Sequence, residues 1–145
     1  LALACDFLYA AEGARFADTH ARVGLLPGWG LSQKLGRLIG INRAREASLT
    51  GNFIDADTAM TWGLVNKVCS PETLIENSLA AAQQIAESNP QTISAMRSLM
   101  NDGDLLSLGE ALELEGARGI AYLEHADFSQ MENRLQALKS RSKKS

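Results

Sequence analysis

The sequence predicts an α/β fold: a short extended portion near its start, a glycine-rich loop, and then a mostly helical remainder. Three observations carry this. Asp6-Phe7-Leu8-Tyr9-Ala10 and Arg15-Phe16-Ala17 are brief apolar and aromatic runs flanking the turn-like Glu12-Gly13-Ala14, as two short strands would be. Val23-Gly24-Leu25-Leu26-Pro27-Gly28-Trp29-Gly30 places a proline and three glycines in eight positions, which interrupts any regular element. Beyond that loop, apolar side chains recur at helical spacing almost to the end.

Leu31, Leu35, Leu38 and Ile39 start that pattern, with Gln33, Lys34 and Arg37 between them, so a helix follows the loop directly. Asp55 is placed to cap a short helix through Met60, which Gly63 stops before the extended Leu64-Val65-Asn66-Lys67-Val68. Ser70-Pro71 is a helix start signal, and Leu74, Ile75, Leu79, Ala82 and Ile85 form the stripe behind it. Asn89-Pro90 repeats the signal ahead of Ile93, Met96, Leu99 and Met100. Asn101-Asp102-Gly103-Asp104 reads as a turn between helices. Leu105, Leu108, Leu112, Ile120 and Leu123 then mark a long helix weakened by Gly116 and Gly119, and a last helix runs from about Ser129 to Leu138. No repeat of fixed period is visible.

Composition narrows the class. The chain has 145 residues, 46% apolar and 21% charged, enough for one hydrophobic core, and its 3 prolines and 12 glycines exclude a low-complexity or collagen-like chain. No run approaches the length of a membrane span, and the opening residues lack the basic lead of a secretory signal. Cys5 and Cys69 are isolated thiols without metal-ligand spacing, consistent with a reducing, cytoplasmic setting. The net charge of -3 does not suggest nucleic acid; its basic part concentrates in Lys139, Arg141, Lys143 and Lys144, either a solvated end or a contact for an anionic ligand or neighbouring subunit. Residue 1 is a leucine inside an apolar run, as expected for part of a longer polypeptide.

The residues that can carry chemistry are few. A glycine loop feeding a helix presents free N–H groups at the positive end of the helix dipole, which suits a carbonyl oxygen, a water or a phosphate; the same loop can also simply turn a corner. It matches neither the P-loop nor the dinucleotide fingerprint. His20 precedes it, and Asp18 stands two residues away, where it can orient the imidazole; a surface hydrogen-bonding role is the alternative. His125 reads as structural. Glu110, Glu113 and Glu115 split between helix faces and read as solvated, and no serine has the context of a hydrolase nucleophile.

Leu1 to Ala10, Ala14-Arg15-Phe16, Gly24 to Gly30, Leu49-Thr50-Gly51, Ile54 to Ala59 and Trp62-Gly63-Leu64-Val65, taken in order, resemble the enoyl-CoA hydratase/isomerase (crotonase) family over essentially the whole chain. The resemblance implies the C-terminal half of that fold. Residues 1–68 would be the last part of a crotonase-like ββα spiral core, and residues 69–145 a helical region used for trimer assembly.

It also implies an activity: water adds to a trans-2-enoyl-CoA thioester through an enolate held in an oxyanion hole. Coenzyme A enters as part of the substrate, with no separate cofactor and no metal. The first family glutamate would precede Leu1, and the oxyanion donors lie further upstream. The second would align with His20, where Asp18-Thr19-His20-Ala21-Arg22 replaces the usual proline-glutamate. His20, oriented by Asp18, is then expected at the water or α-proton site, or packed at the pocket wall. Gly28, Trp29 and Gly30 are expected at the substrate, with Trp29, in place of a small residue, narrowing the acyl pocket or buried behind the loop. Arg141, Lys143 and Lys144 are expected near the coenzyme A phosphates. A homotrimer or hexamer in fatty-acid β-oxidation follows, in the cytoplasm or a mitochondrial matrix, with neither nucleic acid nor membrane as partner; Ser142-Lys143-Lys144-Ser145 is not a Ser-Lys-Leu peroxisomal ending. A double-bond isomerase or other acyl-CoA lyase, and a non-catalytic oligomerisation module, are the alternatives.

Overall fold

Small side chains set the geometry of the first part of the molecule. The computed structural model describes residues 2–126 and 128–141, excluding the side chains of residues 137, 138, 140 and 141, and the chain divides into two units, Leu1–Ile85 and Ala86–Ser145. In the first, a 3-10 turn (Ala2–Ala4) leads to β1 (Tyr9–Ala11) and β2 (Arg15–Phe16), then α1 (Leu31–Ile39), α2 (Ile41–Thr50), β3 (Ile54–Asp55), α3 (Ala56–Trp62), β4 (Lys67–Cys69) and α4 (Leu74–Ala86). β1 pairs in parallel with β4, Ala10 opposite Val68, and β2 pairs antiparallel with β3, Phe16 opposite Ile54. The parallel pair requires a crossover, which the intervening helices supply.

The buried cluster of this unit comprises Ala10, Leu35, Ile39, Ala44, Ala47, Ile54, Ala56, Ala59, Leu64 and Val65. Half of these are alanines, so backbones approach closely and the three short helices share a thin core. The corner between α1 and α2 is a single residue, Gly40, at φ 85 and ψ 145, a conformation available almost only to glycine. Sequence periodicity misses α2 because its buried face is only Ala44 and Ala47. Asp55 caps α3 as expected, its carboxylate accepting from the Thr58 N–H at 2.7 Å, and Gly63 ends that helix in a left-handed conformation.

In the second unit α5 (Pro90–Gly103) packs along α6 (Leu108–His125), and α7 (Met131–Arg141) follows. Asn89 caps α5 by accepting from Gln91 and Thr92, with Pro90 in the first turn, as the sequence signals. Ser107 and Glu110 form a reciprocal capping box at the start of α6, a signal that sequence analysis passes over.

Several boundaries move. Extended pairing starts at Tyr9 rather than Asp6. Residues 71–73 form a turn, so α4 begins at Leu74 and Pro71 is not its first residue. α5 continues through Asn101-Asp102-Gly103, leaving Leu105 in the connection, and α7 begins at Met131 rather than Ser129. Good helix formers before Asp102 sustain the ladder past a sequence that would otherwise turn. No helix of the described residues is long and apolar enough to cross a membrane.

Candidate functional site

Asp18 follows β2 and is the one buried charged residue among those described, at 4% exposure. Burial pushes its carboxyl proton affinity up, but hydrogen bonds from the Ser48 hydroxyl and from His20 outweigh that and hold it below the ordinary aspartate value. Asp18 Oδ1 accepts the His20 backbone N–H at 3.2 Å and lies 2.7 Å from His20 Nδ1. An ionised carboxylate only accepts, so the neutral imidazole carries its proton on Nδ1 and leaves Nε2 with a free lone pair. The His20 side chain is 39% exposed. Its pairing with Asp18 therefore fixes ring and tautomer while keeping the other nitrogen accessible.

The turn that carries His20 is anchored a second time. Arg22 Nε donates to the Thr50 carbonyl at 2.7 Å and Nη2 to Asn52 Oδ1 at 3.0 Å, locking the 3-10 turn Ala21–Val23 onto the C-terminal end of α2. Gly51 makes room for this: a Cβ there would lie 2.6 Å from Arg22 Nε, and its φ of +62 is left-handed. Ser48 and Arg22 are absent from the sequence-based site. Their only signal is spatial, since α2 itself carries no strong apolar pattern.

The glycine loop then delivers the chain into α1. The Leu31 N–H bonds the Gly28 carbonyl at 3.2 Å across Trp29 (φ 53) and Gly30 (φ 81), giving a turn with both central residues left-handed. Gly30 is the N-cap of α1, whose first turn has neither a side-chain cap nor an acidic residue, so its positive end is not neutralised locally.

Asp18, His20, Gly28 and Trp29 all line one cavity of about 870 Å³ within this unit; Gly30 stands beside it and outside its lining. Leu3, Phe16, Leu25, Leu26 and Leu31 contribute apolar walls, and Leu35, Ala47, Ile54 and Leu64 form a back wall that belongs also to the buried core. An apolar cleft with a few convergent polar groups is the usual form of a small-molecule site. Within this chain Trp29 is 90% exposed and lines the cavity rather than the core behind the loop.

Other sequence candidates fall elsewhere. His125 lies exposed in the last turn of α6, and Glu110, Glu113 and Glu115 are exposed along the same helix, Glu110 within the capping box. The side chain of Arg141 and all of Lys143 and Lys144 lie outside the described residues. No group of three or more histidine, cysteine or acidic side chains is placed to hold a metal among the described residues.

Comparison with known proteins gives a consistent result. The family model described as enoyl-CoA hydratase/isomerase matches residues 1–140. "Probable enoyl-CoA hydratase 1, peroxisomal" of Arabidopsis thaliana is 48% identical over 84% of this chain and 46% of its own length. "Enoyl-CoA hydratase, mitochondrial" of Pongo abelii is 41% identical over 79% of this chain and 40% of its own. Among solved structures, enoyl-CoA hydratase from Bacillus anthracis superposes with a TM-score of 0.85 at 32% identity, covering 96% of this chain and 53% of that one. The chain thus spans under half the length of these two curated relatives.

Proposed function

The chain belongs to the enoyl-CoA hydratase/isomerase family and has its crotonase fold, and on that premise we propose that it is the C-terminal portion of a hydratase acting on trans-2-enoyl-CoA thioesters. The observation that carries this reading is the Asp18–His20 pair in the wall of the apolar cavity, beside the Gly28-Trp29-Gly30 turn. Relatives named as hydratases support the reaction class.

In the proposed reaction the oxygen of water adds to C3 of the enoyl group and the C2=C3 electrons move toward the thioester carbonyl as an enolate. A proton is then placed on C2, so the elements of one water are added and no further reactant is consumed. His20 Nε2, free while Nδ1 is held by Asp18, is the group of this chain suited to take the water proton or to exchange the α-proton. By resemblance to the family, a carboxylate upstream of Leu1 carries most of the acid–base work. The Gly28 and Trp29 backbone contacts the thioester or the attacking water, with Gly30 opening the helix whose N-terminal field favours developing negative charge.

The remaining assignments extend the same proposal. Arg141, Lys143 and Lys144 supply positive charge to the coenzyme A phosphates, and coenzyme A is present only as part of the substrate. The assembly is a homotrimer or hexamer serving β-oxidation. Free thiols at Cys5 and Cys69 favour a reducing compartment, the cytoplasm or else a mitochondrial matrix.

The test is hydration of crotonyl-CoA by the full-length protein and its His20→Ala variant, followed through loss of the enoyl absorbance. We expect kcat to fall by roughly 10²-fold. Unchanged turnover removes His20 from the mechanism, and absence of hydration in the unsubstituted protein removes the hydratase reading.

A further inference from the structure

Two walls of the cavity lie far apart in the chain and are joined by one polar side chain. Ala2, Leu3 and Ala4, the 3-10 turn, line one wall; Gly28, Trp29 and Leu31, where the glycine loop enters α1, line another. Lys34 stands in the first turn of α1, and its Nζ donates to the Leu3 carbonyl at 3.1 Å, 31 residues away in sequence. Carbonyls that end a helical turn have no partner within it, and lysine is a natural donor to them.

The helix sets the path of this side chain. Side chains of an α-helix lean toward its N-terminus, and Gly30, four residues earlier, leaves the way open. The Lys34 methylenes lie over it, with Cε 3.5 Å, Cδ 3.6 Å and Cγ 3.7 Å from where a Cβ would stand. The Lys34 N–H also donates to the Gly30 carbonyl at 2.8 Å. One residue therefore holds the glycine turn with its backbone and the Ala2–Ala4 turn with its ammonium. Leu3 and Leu31 pack against the buried cluster as well, but apolar packing is non-directional and lets a turn slide. The hydrogen bond supplies the register that packing lacks.

We propose that Lys34 is a positioning residue for the reaction: by tying the Leu3 carbonyl to the first turn of α1 it fixes how the two walls stand relative to one another, and so how the enoyl group is aligned between them. Its role in turnover rests on the hydratase reading; the tie itself does not. Misplacing a bound reactant by a fraction of an ångström to one ångström costs up to about 10²-fold in rate. Alignment, not the gross binding of the thioester, is what this register sets, so its loss falls on kcat.

The experiment uses the full-length protein with Lys34→Met, which removes the donor and keeps an apolar stem over Gly30, and Lys34→Arg, which keeps a cationic donor. With crotonyl-CoA, Lys34→Met is expected to lower kcat by about 10-fold or more and to leave KM within about twofold, while Lys34→Arg stays within about threefold of the unsubstituted kcat. Melting temperature should fall by no more than about 4 °C in either variant, because one hydrogen bond to a backbone carbonyl adds little net stability. Deuterium uptake is followed in parallel in peptides spanning residues 2–8 and 26–34. Both should exchange faster in Lys34→Met and at the original rate in Lys34→Arg.

A kcat within about twofold in Lys34→Met, a loss carried by KM alone, an arginine variant no better than the methionine one, or unchanged uptake in the two peptides overturns the proposal. A larger fall in melting temperature shared by both variants overturns it too, since the lysine would then serve folding and not alignment. Faster uptake in Lys34→Met without hydration of any enoyl-CoA by the unsubstituted protein upholds the tie and sinks the hydratase reading, so the two fail separately.

Discussion

Replacing Asp18 by asparagine removes one charge at nearly constant volume, and the geometry fixes what is lost. The buried carboxylate takes the Ser48 hydroxyl, the His20 N–H and the His20 ring. Asparagine offers one acceptor oxygen, so its amide must point N–H groups at a hydroxyl or at Nδ1. Charge-assisted hydrogen bonds contribute about 1.5 to 3 kcal/mol each, and the His20 partner is 39% exposed, so solvent screening places the net destabilisation at about 2 to 3 kcal/mol. Because the folded-state proton affinity of Asp18 is lowered, its stabilisation is fully present above the unfolded aspartate value near 3.8 and is lost as pH falls through the folded value. The gap between Asp18→Asn and the unsubstituted chain should therefore close as pH falls below about 4. Urea titrations across pH measure this. Nitrogen chemical shifts of His20, with His125 as internal reference, report the tautomer, which should move from Nδ1–H toward Nε2–H. A variant within about 0.5 kcal/mol of the original that keeps the Nδ1–H tautomer would refute the reasoning.

Gly51→Ala places a methyl on Arg22 and forces an alanine to φ +62, so it should cost about 1 to 2 kcal/mol and lower turnover of the full-length protein by loosening the His20 turn; Arg22→Ala, assayed in parallel, should reproduce the kinetic effect without the backbone strain. Asn89→Ala deletes the side-chain acceptor for Gln91 and Thr92 at the start of α5 and should cost about 1 kcal/mol in a urea titration, with no change in His20 chemical shifts.

How far the sequence could be read depended on whether a residue acts through its neighbours in the chain. Asp55, Asn89, Gly63 and the helix after Gly30 are legible because capping and turn chemistry are local. α2 is not, since its buried face is two alanines and a hydrophobic pattern needs larger side chains to stand out. The nearness of Asp18 and His20 follows from their spacing; Ser48 and Arg22 enter only when tertiary packing brings α2 against that turn. The left-handed turn at Trp29 and Gly30 is not legible either, since tryptophan carries no local preference for positive φ.

Leu35, Ala47, Ile54 and Leu64 serve two surfaces at once, being both interior packing and the rear of the cleft. A protein engineer who hollowed that rear face for a bulkier guest would be subtracting from the same atoms that keep the unit folded, and a change made for thermal robustness would reshape the guest's berth. Retuning of this molecule is therefore expected to begin at the loop rim, where side chains can be exchanged without disturbing the interior.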